Sequence, residues 1–167
     1  NNYSESSLNK FKAIFTRESM SADEVNKSGA SATVVPDVIL TNENILKRSK
    51  SSIKQIGSIE HHNSGLGTLQ NYKPFLDNLE NYSHIASGSY HGALICAMLD
   101  IPFSMWPSNT HKMQALAKDI EAPEIHFQNK ESAVKGIPDT MKDSIKQYVY
   151  DSQIKINNFF ETLEQYV

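Results

Sequence analysis

The sequence predicts an α/β domain, a Rossmann-like parallel sheet with helices on both faces and a long C-terminal helix. Three observations carry this. Short β-branched or apolar runs alternate with helical periods along most of the chain, the pattern of strands joined by crossover helices. Residues 83–112, reading SHIASGSYHG, ALICAMLD and IPFSMWPSNTHK, form a strand–helix–strand–helix unit with glycines bracketing the first helix entrance. Over residues 141–166 an apolar stripe recurs at the helical period with almost no interruption.

Taken in order, residues 1–10 are expected to be a disordered end, the first part (NNYSESS) being wholly polar, and residues 11–167 a single α/β domain. Residues 11–16 read as a strand that delivers Arg17, Glu18 and Ser19 at its carboxyl end. Ser21, Ala22, Asp23 and Glu24 match S-x-x-E, a capping box in which hydroxyl and carboxylate satisfy two orphan backbone donors. The helix they open should close near Ser28, with Gly29 as its stop. Residues 33–35 are a β-branched strand ended by Pro36 and Asp37. Residues 42–52, rich in Lys, Asn and Ser, have no apolar period and read as a loop or an exposed short helix. Residues 53–60 (IKQIGSIE) read as a strand broken at Gly57, followed by a polar loop with His61 and His62. Leu69, Tyr72, Phe75, Leu76 and Leu79 keep the spacing of an amphipathic helix over 68–81, capped by Thr68, with Pro74 bending it or marking a later start.

Within the central unit, residues 83–87 are the strand, Gly88 the turn and Ser89 or Tyr90 the helix entrance. That helix is apolar nearly all round, so it must be covered on most sides. A second strand spans 102–106, and a helix from near Asn109 buries Met113, Leu116, Ala117 and Ile120. Residues 124–127 are a short strand candidate. Pro138 stands at a helix-opening position, and the stripe of Met141, Ile145, Tyr148, Val149, Ser152, Ile156, Phe159, Phe160, Leu163 and Tyr166 belongs to one helix over 138–166 or two joined end to end.

With 16 basic and 19 acidic residues the net charge is −3, which gives no electrostatic case for a nucleic-acid partner. Arg17 and Arg48 are the only arginines, so bidentate anion clamps are scarce and these two carry unusual weight. Cys96 is the sole cysteine; it reads as a small buried hydrophobe rather than a nucleophile, and no intrachain disulfide can form. No leader-like start is read and no apolar run approaches the about 18 residues of a membrane span, so a soluble cytoplasmic protein is expected.

Ligands of an open parallel sheet collect beyond the carboxyl ends of its strands. Those ends deliver Arg17, Glu18 and Ser19; Asp37; His61 and His62; Gly88, Ser89, Tyr90 and His91; and Trp106 through Lys112. The first-turn N–H groups of a helix favour an anion, and Gly88 and Gly92 would let backbone approach it. His91, just inside that entrance, is the first candidate for chemistry; the plainer reading is a helix residue bonded to a neighbouring loop. The SGSYHG context is neither a nucleophile elbow nor a dinucleotide fingerprint. Lys112 sits in a first turn, where a bound anion would offset the dipole cost of a cation; its alternative is a solvated lysine. Adjacent residues rarely converge on one ion, so His61 and His62 are not read as a metal pair, and neither metal nor cofactor is expected. His84, His111 and His126 read as structural, and Arg17 with Glu18 has a plain surface ion pair as its alternative.

Arg17-Glu18-Ser19 with Ser21, then VVPDVIL, then HIASGSYHGALICAMLDIPF, then Lys112, resemble in order the landmarks of the polysaccharide pyruvyl transferase family. Those are an R-(D/E)-x-x-S segment, a v-P-D-p strand end, an R-L-H-g segment followed by g-(I/V)-P, and a downstream Lys. The resemblance covers most of residues 11–120, the C-terminal half of such an enzyme, and implies a GT-B-type domain. It implies transfer of a pyruvyl group from phosphoenolpyruvate to a sugar of a surface polysaccharide. His91 and Glu18 would be catalytic; Arg17, Gly88, Ser89, Tyr90, Gly92 and Lys112 would hold the donor, with Asp37 as the P-D aspartate. A carbohydrate acceptor, an N-terminal domain or partner chain forming the other wall, and peripheral membrane association through a lipid-linked acceptor are implied with it.

Ser89 and Tyr90 stand where the family has Arg and Leu, which removes a charge-assisted contact to the donor. The alternatives are a GT-B glycosyltransferase with a nucleotide-sugar donor and a non-catalytic carbohydrate- or phosphate-binding domain.

Overall fold

Residues 5–46, 55–60, 72–79 and 81–163 are described in the structure, a computed structural model. The chain is α/β, with parallel strands in two small sheets. β3 (Ile56–Ile59), β4 (His84–Ser87) and β5 (Phe103–Met105) pair in that order, with Gly57, Ile85 and Phe103 in register. Among the described residues β1 (Phe15–Thr16) and β2 (Thr33–Val34) pair only with each other. The single sheet expected from the strand order is therefore split. Each of these strands is two residues long, and β2 leaves both Thr33 and Val34 exposed.

Register decides which helix covers which face of the larger sheet. In-register residues of a parallel pair point the same way, and successive residues of a strand point opposite ways. Ile59, Ser87 and Met105 share one face, and Ser87 and Ile59 are the side chains nearest Gly92 of α5 (Tyr90–Met98), so α5 lies on that face. Ser58, Ala86 and Ser104 share the other, where the buried Ser104 hydroxyl donates to the Ala133 carbonyl of α7 (Lys130–Lys135) at 2.6 Å. Helices thus cover both faces, as the alternation predicts.

α5 is the centre of the core. Ala93, Leu94, Ile95 and Cys96 are fully or almost fully buried, and the helix packs on β4, β5, α6 (Lys112–Asp119) and α8 (Asp143–Thr162). Its all-round apolar sequence required this. Burial pushes the Cys96 thiol well above its ordinary range, which leaves it a packing residue. From α8, Ile145, Val149, Ser152 and Ile156 form one buried stripe.

Several boundaries depart from the sequence reading. A short helix, α1 (Glu5–Leu8), lies inside the stretch expected to be disordered. Glu18, not Ser21, caps α2 (Ser19–Lys27): the chain is extended at Glu18 (φ −152, ψ 159), and its carboxylate accepts the Ser21 N–H. Gly29 does stop that helix, in the left-handed region at φ 86. Gly57 does not break β3; the Tyr82 ring lies 2.8 Å from where its Cβ would stand, so the glycine makes room for an aromatic. Residues expected as a strand near 124–127 form a 3-10 turn (Pro123–Ile125) and one isolated bridge, Met105 to His126. α8 begins at Asp143 rather than Pro138, with Lys142 extended before it and an acid in its first turn. Toward its end the stripe loosens, Phe160 being 51% exposed while Phe159 packs edge-on against Phe15 at 4.8 Å.

Of residues 42–52, those beyond 46 lie outside the described residues; Glu43–Leu46 forms a short helix, α3, but not an exposed one, because Ile45 is fully buried in the core. α4 (Tyr72–Leu79) carries Pro74 in its first turn, where a missing N–H costs nothing, and the Thr68 cap lies outside the described residues. Among the described residues no helix is long and apolar enough to cross a membrane.

Candidate functional site

Three strand ends bring their polar residues to one point. Arg17 follows β1, Asp37 follows β2 at the start of a 3-10 turn (Val38–Thr41), and His91 lies in the first turn of α5 after β4. Asp37 Oδ2 receives Arg17 Nη1 at 3.1 Å and His91 Nε2 at 3.2 Å, while its Oδ1 accepts the Ile39 N–H at 3.1 Å. Both oxygens are thus held, and the carboxylate cannot turn without breaking three contacts.

Burial acts to raise the Asp37 carboxyl, and the hydrogen bonds from His91, the Ile39 backbone and Arg17, with the charge of His91, outweigh it and hold the group at about 2. It is therefore an anion at neutral pH. Nε2 must donate to reach a carboxylate, so the 3.4 Å approach of Arg17 Nη1 to His91 Nε2 joins two donors and is not a bond. Nδ1 of His91 is then left to accept or deliver a proton. The Asp37 side chain is 11% exposed, but Arg17 and His91 are 34% and 36% exposed, so a ligand can reach both.

Tyr90 forms the floor. The Arg17 guanidinium lies 4.7 Å above its ring, and the His91 ring meets it edge-on at 5.8 Å. Burial, then the nearby Tyr148, Asp37 and Glu18, push the Tyr90 phenol far up, so it stays protonated; its buried hydroxyl has no partner among the described residues. Tyr148 is likewise pushed up to about 12, mainly by burial.

The glycines serve packing rather than open space. A Cβ at Gly92 would stand 2.9 Å from Ser87 Oγ, and one at Gly88 would strike the Trp106 indole. These were expected to let a ligand near the backbone; instead Gly92 seats α5 on the sheet and Gly88 seats Trp106. Ser89 caps α5, its Oγ accepting the Gly92 N–H at 3.4 Å. An anion at this entrance would have to meet the donors left at Tyr90 and His91.

Glu18 is not brought into the Arg17–Asp37–His91 cluster by any of its bonds. It is 1% exposed, accepts the Ser21 N–H at 3.0 Å and the Ser21 hydroxyl, and faces His111 Nε2 at 3.4 Å. His111 in turn approaches Ser21 Oγ at 3.3 Å and Glu24 at 3.7 Å, tying the start of α6 to the start of α2. The sequence reading passed over His111 as structural without seeing that Glu18 is what it holds; its position in the strand-end run 106–112 was the available signal. Lys112 opens α6 and makes no ion pair among the described residues. His61 and His62 lie outside the described residues. His84 bonds Ser83 Oγ through Nδ1 at 2.8 Å, and burial lowers the His126 imidazole, as side chains of the framework. Among the described residues no group of three or more His, Cys, Asp or Glu is placed to hold a metal ion.

Compared with family models, curated proteins and solved structures, the chain matches none, so its site stands on its own geometry.

Proposed function

We propose that this chain is the C-terminal half of a GT-B-type transferase resembling the polysaccharide pyruvyl transferases, moving a pyruvyl group from phosphoenolpyruvate to a sugar. One observation carries the reading. Arg17, Asp37 and His91, from three separate motif segments, meet on a single carboxylate oxygen. An arginine beside an aspartate-oriented imidazole is what an anionic enol donor needs.

In the proposed reaction Arg17 holds the donor's negative charge and the His91 imidazolium, steadied by Asp37, gives its proton to C3 of the enol. A sugar hydroxyl bonds to C2 and returns its proton to His91. A second hydroxyl then bonds to C2 as the C2–O bond to phosphate breaks, and its proton leaves with the phosphate. The products are a ketal and inorganic phosphate. Exposure of Arg17 and His91 fits a cleft whose second wall comes from an N-terminal domain or a partner chain.

Phosphate release from phosphoenolpyruvate, followed by phosphorus NMR with a sugar acceptor present and absent, tests this. Acceptor-dependent release that disappears in His91→Ala is expected; release at near-normal rate in that variant refutes the role. Ser89, standing where the family has Arg, favours a second reading, a nucleotide-sugar transferase. Thermal-shift titration with phosphoenolpyruvate, UDP, CMP and GDP separates the two, since a ligand at 100 times its dissociation constant adds about 2.7 kcal/mol of stability.

A further inference from the structure

We infer that Tyr90 is the positioning residue of the anion site: its ring, rather than its hydroxyl, fixes the Arg17 guanidinium that meets the donor. The assignment rests on the transferase reading above and names what sets its donor affinity. Arg17 follows a strand of two residues, so little backbone pairing restrains it, and its long side chain has many rotamers to lose. Two contacts hold the guanidinium. Nη1 reaches Asp37 Oδ2 at 3.1 Å, and Cζ lies over the Tyr90 ring, 4.7 Å from its centroid. One hydrogen bond leaves a planar group free to turn about it, and a ring under its face removes that freedom. Among the described residues Nε and Nη2 have no hydrogen-bond partner; together they are the fork that takes two oxygens of one anion.

The ring can serve as a support because it is itself fixed. Tyr90 opens α5, is 5% exposed and belongs to the core cluster against which Tyr148 packs. Its hydroxyl is buried without a partner among the described residues, and burial keeps it protonated, so it neither reaches a ligand nor carries charge. Arg17, by contrast, is 34% exposed. The cation thus has one face on a buried aromatic, one nitrogen on a buried carboxylate and a third of its surface open. A group held in this way before the anion arrives loses less freedom on binding. Tyr90 does not touch the donor in this account; it acts through Arg17.

Arg17 and Arg48 are the only arginines, so the arginine Nε–H region of a proton–nitrogen NMR spectrum of the full chain holds two signals, and Arg17→Gln identifies one of them. The Arg17 signal is expected upfield of the ordinary arginine position, because the ring current of Tyr90 acts on a group above its face. Tyr90→Leu should return it to that position, and Tyr90→Phe should keep it upfield. In the transfer assay Tyr90→Leu should raise the phosphoenolpyruvate KM about fivefold, the factor a cation–π contact carries at a partly exposed site, while the acceptor KM moves less than about twofold. Tyr90→Phe, which keeps the ring, should recover most of that loss. In an Arg17→Gln background Tyr90→Leu should shift the donor KM less than about twofold, since the ring then has no guanidinium to hold. Losses that add in the double variant would make the ring merely structural, and a Tyr90→Phe variant as impaired as Tyr90→Leu would give the role to the hydroxyl; either overturns the assignment. Should Tyr90→Leu fail to fold, an Arg17 signal at the ordinary position in the wild-type chain overturns it as well. Absence of any pyruvyl transfer would defeat the transferase reading, while the arginine spectrum would still decide Tyr90.

Discussion

Replacing Asp37 by Asn removes one charge and almost no volume. In the folded chain the Asp37 carboxyl is held at about 2, against an ordinary value of 3.8. That lowering corresponds to about 2 kcal/mol of preference for the ionised form. Arg17 and His91 are each about a third exposed and water screens them, so about 2 kcal/mol is taken as the ceiling. The folded value lies below the unfolded one, so the contribution is complete above pH 3.8 and disappears as pH falls through about 2. Urea unfolding of wild type and Asp37→Asn between pH 5 and pH 2, below the range in which an imidazole coupled to Asp37 changes charge, isolates the carboxylate. The wild-type advantage should shrink by about 2 kcal/mol between pH 5 and pH 2, whatever constant offset the amide introduces. Parallel stability curves over the whole range would refute the claim that Arg17 and His91 share this carboxylate.

Two further outcomes concern the framework. Ser104→Ala removes the hydroxyl donor from the Ala133 carbonyl, which keeps the Gly136 N–H at 3.1 Å, and should cost about 0.5–1.5 kcal/mol in chemical denaturation, lowering stability without moving the fluorescence of Trp106. Glu121 sits in the left-handed region at φ 53 just beyond α6, so Glu121→Gly should stabilise the chain by about 0.5–1 kcal/mol, read as a higher urea midpoint at unchanged slope.

Local sequence carried much of the helical framework. The apolar run of 93–99 implies a helix covered on most sides, and α5 is that helix. Gly29 marks a left-handed stop because other residues are strained there. The entrance of α5 reads as Ser89 or Tyr90, and the structure decides for Ser89 as its cap, the hydroxyl accepting the Gly92 N–H. Placing Arg17, Asp37 and His91 at strand ends likewise followed from alternation of strand and helix, and all three occupy such ends.

Periodicity speaks for about one turn of helix or one strand, and the rest was decided across long loops. That β1 and β2 form their own sheet depends on which faces other elements leave uncovered. That Glu18 caps α2 and lies against His111, rather than joining Asp37, depends on where α6 starts in space. Gly88 and Gly92 read as openings for a ligand because a glycine shows only what it lacks; the indole of Trp106 and the hydroxyl of Ser87 fill those spaces. Composition by itself determined a small acidic chain with two arginines and one tryptophan. Tertiary structure alone placed one of those arginines and an imidazole on the same oxygen of Asp37, because residues far apart in sequence meet only when the elements carrying them have packed.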